Sequence, residues 1–271
     1  MNPTAIKELF KEYGIRPNKR LGQNFLTDQN ILAKIVKAAN LNQNDTILEI
    51  GPGLGTLTKE LVQRVKKVIA VEKDRKLADL LKETLKDCQN LEIITADIRD
   101  MIDKLPLNSF KIVANLPYYI TSPTIRMFLE SKNQPQEMIL MVQKEVGARI
   151  CANPPKMSLL AISVQFYAQP KIAFWVPKES FWPQPKVDSS LIKIQNIKKP
   201  KGIDIEKFFR IVRAGFSSPR KQLANNLSSG LNLDRDVIKK ALIESNLDIQ
   251  IRAQDVEIED WKSIQKHLFS N

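Results

Sequence analysis

The sequence predicts an α/β fold, a mainly parallel sheet with helices on both faces, followed by a small helical domain. Short apolar, β-branched runs alternate with helical patterns from residue 45 onward. A glycine loop, Glu49-Ile50-Gly51-Pro52-Gly53-Leu54-Gly55, follows directly on the first of these runs. Beyond residue 202 the pattern is helical throughout.

The first strand-like runs are 46–50, 68–72, 91–95, 110–115 and 137–142, each bounded by turn or polar residues. Between them, 56–65, 75–85 and 123–130 place apolar residues at helical spacing. This alternation implies parallel pairing, because parallel neighbours need a long crossover connection. After Met157 a helical stretch runs to about Tyr167, and two more strand-like runs follow at 171–176 and 189–195. The proline-rich loop 177–185 between them is expected to expose Phe181 and Trp182. Residues 197–202 form a charged linker containing Pro200 and Gly202. Helices are then predicted at 205–214, 219–227, 234–245 and 259–268, with Ser218-Pro219 and Asp234 as helix starts. The expected domains are therefore 1–198, opening with a basic segment at about 1–40, and 199–271.

Lys and Arg number 42 against 30 Asp and Glu, a net charge of +12, which favours a polyanionic partner, nucleic acid or an anionic membrane surface. Basic side chains are densest toward the two ends, as in a basic rim around a catalytic body. A generally basic surface is the blander alternative. No apolar run approaches the ~18 residues that would span a bilayer, and Lys7 and Glu8 break any leader-like pattern at the start. Cys88 and Cys151 are too few and too isolated for a disulfide framework or a zinc site. A reducing cytoplasm and no metal are expected.

A glycine loop after a strand brings backbone N–H groups close to a ligand at a helix N-terminus. Thr56 stands where a dinucleotide fingerprint wants its third glycine, which weakens an NAD assignment. Glu72 ends the next strand 21 residues after Gly51, where a carboxylate accepts from ribose hydroxyls. Asp97 lies just past the third strand, placed to accept from an adenine amine. Together with Asn115 at a fourth strand end, these residues mark the C-terminal edge of a doubly wound sheet as a nucleoside pocket.

Asn115-Leu116-Pro117-Tyr118 lies 64 residues after Gly51 and carries the second half of the chemistry. The lone pair of an adenine N6 is delocalised into the ring, so the amine is a poor nucleophile until its geometry moves toward tetrahedral. The Asn115 side-chain oxygen and the Leu116 carbonyl, presented by the Pro117 turn, are acceptors for both N6 hydrogens. Tyr118 offers a face on which the extracted base stacks. No general base is needed, since the methylated ammonium loses its proton readily to water.

With these motifs, Leu21-Gly22-Gln23-Asn24-Phe25-Leu26 and Phe181-Trp182-Pro183-Gln184-Pro185-Lys186-Val187 complete a set that resembles the KsgA family of small-subunit ribosomal RNA adenine dimethyltransferases. The resemblance runs from about Leu21 to Leu227. It implies a Rossmann-like methyltransferase fold with a seven-stranded sheet and S-adenosylmethionine as donor. It also implies two adjacent adenosines of small-subunit rRNA as acceptors, each dimethylated, and the immature small ribosomal subunit as partner. Carried over by motif, Asn24, Leu26, Gly51, Glu72, Asp97 and Asn115 would line the donor site. Asn115, Leu116, Pro117 and Tyr118 would hold the target base, with Phe181 packing on its other side. Lys19, Arg20, Arg220 and Lys221 would meet RNA phosphate, although Pro219 stands where family members often carry another arginine. A monomer is expected. The related large-subunit rRNA dimethyltransferases of the antibiotic-resistance type, and a mainly structural ribosome-assembly role, are the alternatives.

Overall fold

The computed structural model describes residues 2–18, 21–102, 104–105 and 107–269. By backbone packing the chain divides into a sheet-bearing unit, 1–147 with 168–198, and a helical unit, 148–167 with 199–271. This corrects the expected domain limits for residues 148–167. The cause lies in aromatic packing, since Phe166 stacks on Phe208 at 4.1 Å between ring centroids and meets Phe209 edge-on at 5.1 Å.

In the sheet-bearing unit, α1 (Pro3–Glu12) and the two-residue strand β1 (Phe25–Leu26) come first, then α2 (Gln29–Ala39), β2 (Thr46–Ile50), α3 (Thr56–Val62), β3 (Lys67–Glu72), α4 (Arg75–Thr84) and β4 (Leu91–Thr95). β5 (Lys111–Asn115), α5 (Thr121–Glu130), β6 (Glu137–Gln143) and the start of α6 (Lys144–Ile150) follow. After α7 (Leu159–Gln165), the chain returns as β7 (Gln169–Val176), β8 (Phe181–Trp182) and β9 (Ser189–Gln195).

Seven strands form one sheet in the order β4-β3-β2-β5-β6-β9-β7. The first five are parallel, and β9 is antiparallel to both β6 and β7. The strand order reverses between β2 and β5, the switch point outside which open α/β sheets bind ligands. Strands buried on both faces must be apolar throughout, as Ile47, Leu48, Val113, Ile139 and Leu140 are, at 1% exposure or less.

α1 and β1 lie outside the elements expected from the sequence. α1 forms because Asn2 caps it, accepting from the Ala5 N–H at 2.8 Å, with Pro3 at its first position. Its Ile6 and Phe10 are buried with Phe25, Leu54 and Leu77. β1 pairs antiparallel with β8, Phe25 opposite Trp182 and Leu26 opposite Phe181.

The helical unit contains α7 and then α8 (Ile205–Gly215), α9 (Leu223–Leu231), α10 (Arg235–Glu244) and α11 (Ile258–Phe269). The helix predicted at 219–227 starts four residues later, and Ser218-Pro219 is not its cap. Buried Asn226 donates through Nδ2 to the carbonyls of Gly215 (2.7 Å) and Ser218 (2.9 Å), which ties 216–221 into a loop. Asp234 caps α10 as predicted, accepting from the Asp236 N–H. No described helix is long and apolar enough to cross a membrane.

Candidate active site

The pocket at the C-terminal edge of the sheet is lined by Leu21 to Leu26, the loop after β2, the ends of β3 and β4, and the turn after β5. Gly51, Gly53 and Gly55 all take left-handed φ values, +68°, +58° and +73°. Gly51 is the one that couples the two halves of the site. Its N–H donates to the Val71 carbonyl at 2.9 Å, and a Cβ there would lie 3.4 Å from Pro117 Cδ. The glycine loop and the Asn-Leu-Pro-Tyr turn thus lie against each other at the switch point.

Glu72 is 6% exposed and held by two backbone donors, Gly53 N–H to Oε2 at 3.1 Å and Asp74 N–H to Oε1 at 2.8 Å. Burial raises its pKa, and those hydrogen bonds oppose the rise. Glu49, a site residue to which the sequence gave no role, is 2% exposed, lines the same pocket and has an unpartnered Oε2. Burial pushes its carboxyl up to about 8, and the nearby Glu72 charge adds to the shift. The Thr58 hydroxyl opposes it without meeting hydrogen-bond geometry.

Asp97 is more heavily engaged than its sequence position indicated. Arg99 grips its carboxylate with Nε at 2.9 Å and Nη2 at 2.6 Å, and Lys73 Nζ lies 2.9 Å away. The Arg99 hydrogen bond is the main cause holding the Asp97 carboxyl well below the usual carboxylate range. Lys73 and Arg99 carried no motif, only charge beside the two acidic positions.

At the turn, Asn115 donates through Nδ2 to the Asn24 carbonyl at 3.2 Å, which fixes the amide and leaves Oδ1 as acceptor. Asn24 itself donates to the Gly22 carbonyl at 3.1 Å. The Leu116 N–H is taken by the Met141 carbonyl at 3.2 Å, while the Leu116 carbonyl accepts no hydrogen bond from any described residue. The Tyr118 hydroxyl shares a 2.8 Å hydrogen bond with Ser189 Oγ, which anchors its ring. Gln23 secures the preceding segment, accepting from the Asn18 N–H at 2.7 Å and donating to Asp74 at 3.0 Å.

Two expectations need correction. Phe181 is not exposed: at 4% it is buried among Leu26, Val176 and Leu191, and it does not line the pocket. Trp182 is half-buried with its ring 5.8 Å from Phe10. The physical reason in both cases is the β1–β8 pairing, which turns these rings inward. Leu26 is likewise a core residue, though it also lines the pocket. Arg220 and Lys221 are exposed in the α8–α9 loop of the helical unit. Lys19 and Arg20 lie outside the described residues. No metal-binding cluster occurs among the described residues.

A doubly wound sheet whose switch point joins a nucleoside pocket to an Asn-Leu-Pro-Tyr turn defines a nucleic-acid adenine methyltransferase. Comparison with known proteins makes the class specific. The chain belongs to the ribosomal RNA adenine dimethylase family, whose model matches residues 14–269. A relative in Dehalococcoides mccartyi (strain CBDB1), ribosomal RNA small subunit methyltransferase A, is 43% identical over 263 residues, 95% of this chain and 90% of that protein. The protein of the same name in Alkaliphilus metalliredigens is 40% identical over 280 residues, 99% and 97% of the two chains. Among solved structures, the 23S rRNA methyltransferase ErmE superposes with a TM-score of 0.74 at 26% identity, covering 90% of this chain and 99% of that one. A dimethyladenosine transferase from Plasmodium falciparum gives 0.73 at 26% identity, covering 89% and 95%.

Proposed function

We propose that this chain transfers methyl groups from S-adenosylmethionine to N6 of two adjacent adenosines in small-subunit rRNA, dimethylating each, and that it acts in the cytoplasm as a monomer on the immature small ribosomal subunit. The observation that carries the chemistry is the tether of Asn115 Nδ2 to the Asn24 carbonyl beside an unused Leu116 carbonyl. Two acceptors are thereby preset where an exocyclic amine needs them, without reorganisation at the moment of reaction.

The pocket fits a sulfonium nucleoside. Glu72 is buried and preset by backbone N–H groups for ribose hydroxyls, Asp97 faces the adenine end, and the orphaned Glu49 Oε2 is an acceptor the chain leaves unused. When bound, S-adenosylmethionine supplies the electrophilic methyl group. Asn115 and Leu116 draw the N6 hydrogens toward their oxygens and stabilise the positive charge growing on nitrogen. Tyr118, anchored on Ser189, stacks on the base. Phe181 acts indirectly, by holding Leu26 and hence the Asn24 segment. In the helical unit, Arg210 and Arg213 lie on one exposed face of α8 that leads to Arg220 and Lys221, and no side-chain hydrogen bond or ion pair engages these four among the described residues. Such a stripe favours a phosphate backbone.

A large-subunit target is the competing assignment, and the resemblance to ErmE supports it. The higher identity to small-subunit enzymes, 43% and 40% against 26%, favours the small subunit. Methylation of immature small subunits, naked small-subunit rRNA and large-subunit rRNA, followed by nucleoside mass spectrometry, tests this directly. N6,N6-dimethyladenosine is expected on the small-subunit RNA, and its appearance on large-subunit RNA alone would overturn the proposal.

A further inference from the structure

The carboxylate of Asp97 is fully occupied in the donor-free chain. Oδ1 accepts from the Arg99 N–H at 3.0 Å and from Arg99 Nε at 2.9 Å. Oδ2 accepts from Arg99 Nη2 at 2.6 Å and from Lys73 Nζ at 2.9 Å. An ionised carboxylate offers about four lone-pair sites, and these contacts fill them. A further amine enters only where one of the present donors leaves.

The contacts are not equally held. Arg99 makes all but one of them: its N–H is capped by Asp97 at the start of the short turn Ile98–Asp100, and its guanidinium spans both carboxyl oxygens. Releasing any of these breaks either the cap or the fork. Lys73 makes a single ion pair among the described residues, on a flexible stem whose side chain is 46% exposed against 14% for Asp97. It also shares Oδ2 with a second cation. The Asp97 hydrogen bond raises the Lys73 pKa, while the Arg99 charge beside it works the other way. Lys73 and Asp97 both line the pocket, whereas Arg99 does not. The donor that a ligand in the pocket can displace is therefore Lys73.

We propose that Lys73 competes with the adenine amine of S-adenosylmethionine for Oδ2 of Asp97 and thereby sets donor affinity, withdrawing when the amine arrives while Arg99 keeps the carboxylate in place. The proposal rests on the assignment of Asp97 to the adenine end of the donor. An ion pair to an exposed lysine is weak, which suits a contact broken in every catalytic cycle. The demethylated product carries the same adenine, so the competitor weakens its retention as well.

Titration calorimetry of the full-length chain tests this with two ligands, S-adenosylhomocysteine and its 6-deamino analogue, in which hydrogen replaces the amine. Lys73→Met keeps the stem and removes the ammonium, whereas Lys73→Arg keeps a competitor. Lys73→Met is expected to bind S-adenosylhomocysteine about 3- to 5-fold more tightly than the parent, the gain that loss of one weak ion pair allows. Its affinity for the deamino analogue should stay within about 2-fold of the parent, and Lys73→Arg should resemble the parent with both ligands. Unchanged or weaker S-adenosylhomocysteine binding by Lys73→Met overturns the proposal, as does equal tightening of both ligands. Asp97→Ala separates this proposal from the assignment beneath it. If Asp97→Ala abolishes a preference for the amine that Lys73→Met leaves unchanged, the competition fails and Asp97 remains the adenine acceptor. If neither the parent nor Lys73→Met prefers the amine, Asp97 does not receive it and both fail.

Discussion

At the scale of single residues, the role proposed for Asn115 separates chemistry from binding. Its amide is tethered on one side and offers an acceptor on the other, so Asn115→Ala removes a preset dipole and little contact area. Methylation should fall by about 10²- to 10³-fold, the cost of deleting one such donor or acceptor in other active sites. RNA affinity should change less than about 3-fold. Equal losses in both would mean that Asn115 orders the RNA-binding surface instead. Gly51 makes a complementary case. A Cβ at φ +68° is strained whatever the space, although Pro117 Cδ, 3.4 Å away, would meet it in ordinary contact. Gly51→Ala should cost about 1–2 kcal/mol of stability and weaken donor binding, seen by calorimetry, because relief of the strain shifts the loop backbone that lines the pocket.

Elements differ in how far their own sequence determines them. The parallel strands and α4, α8, α10 and α11 were legible because each satisfies its periodicity and caps locally, as Asp74 and Asp234 do. β1 and β8 were not, because a two-residue ladder between Leu26 and Phe181 exists only once the rest of the sheet has brought them together. That same pairing inverted the expected exposure of Phe181. At the candidate site, the gathering of Gly51, Glu72, Asp97 and Asn115 around one pocket was readable from strand ends, whereas Lys73, Arg99 and the free oxygen of Glu49 depend on burial and on contacts that spacing does not encode. The late start of α9 shows a tertiary contact overriding a good local cap. Asn226→Ala would strand the Gly215 carbonyl and leave the Ser218 carbonyl with the Lys221 N–H as its one donor among the described residues. It should cost about 1–3 kcal/mol in urea unfolding and weaken RNA binding through Arg220 and Lys221. Unchanged RNA affinity in a destabilised variant would dissociate the loop from RNA.

For the molecule as a whole, the buried carboxyl of Glu49 links stability to pH. In the folded chain its pKa is raised from the ordinary 4.5 to about 8. Below pH 4.5 both folded and unfolded chains hold the proton, and the protonated group contributes its full share of stability. Between pH 4.5 and 8 the unfolded chain has released the proton while the folded chain keeps it, so stability falls as pH rises. Above about pH 8 both are ionised and the loss is complete. Asp97, shifted downward, has the opposite sign and titrates below this window, so it does not mask the effect. Glu49→Gln keeps the neutral, hydrogen-bonding form at every pH. In donor-free protein, its thermal midpoint should rise relative to the parent from pH 5 to 8 and level off above that. Parallel curves for the two proteins would show that Glu49 is ionised in the folded chain at neutral pH. The orphaned oxygen would then be a charged one, neutralised by a partner other than its proton.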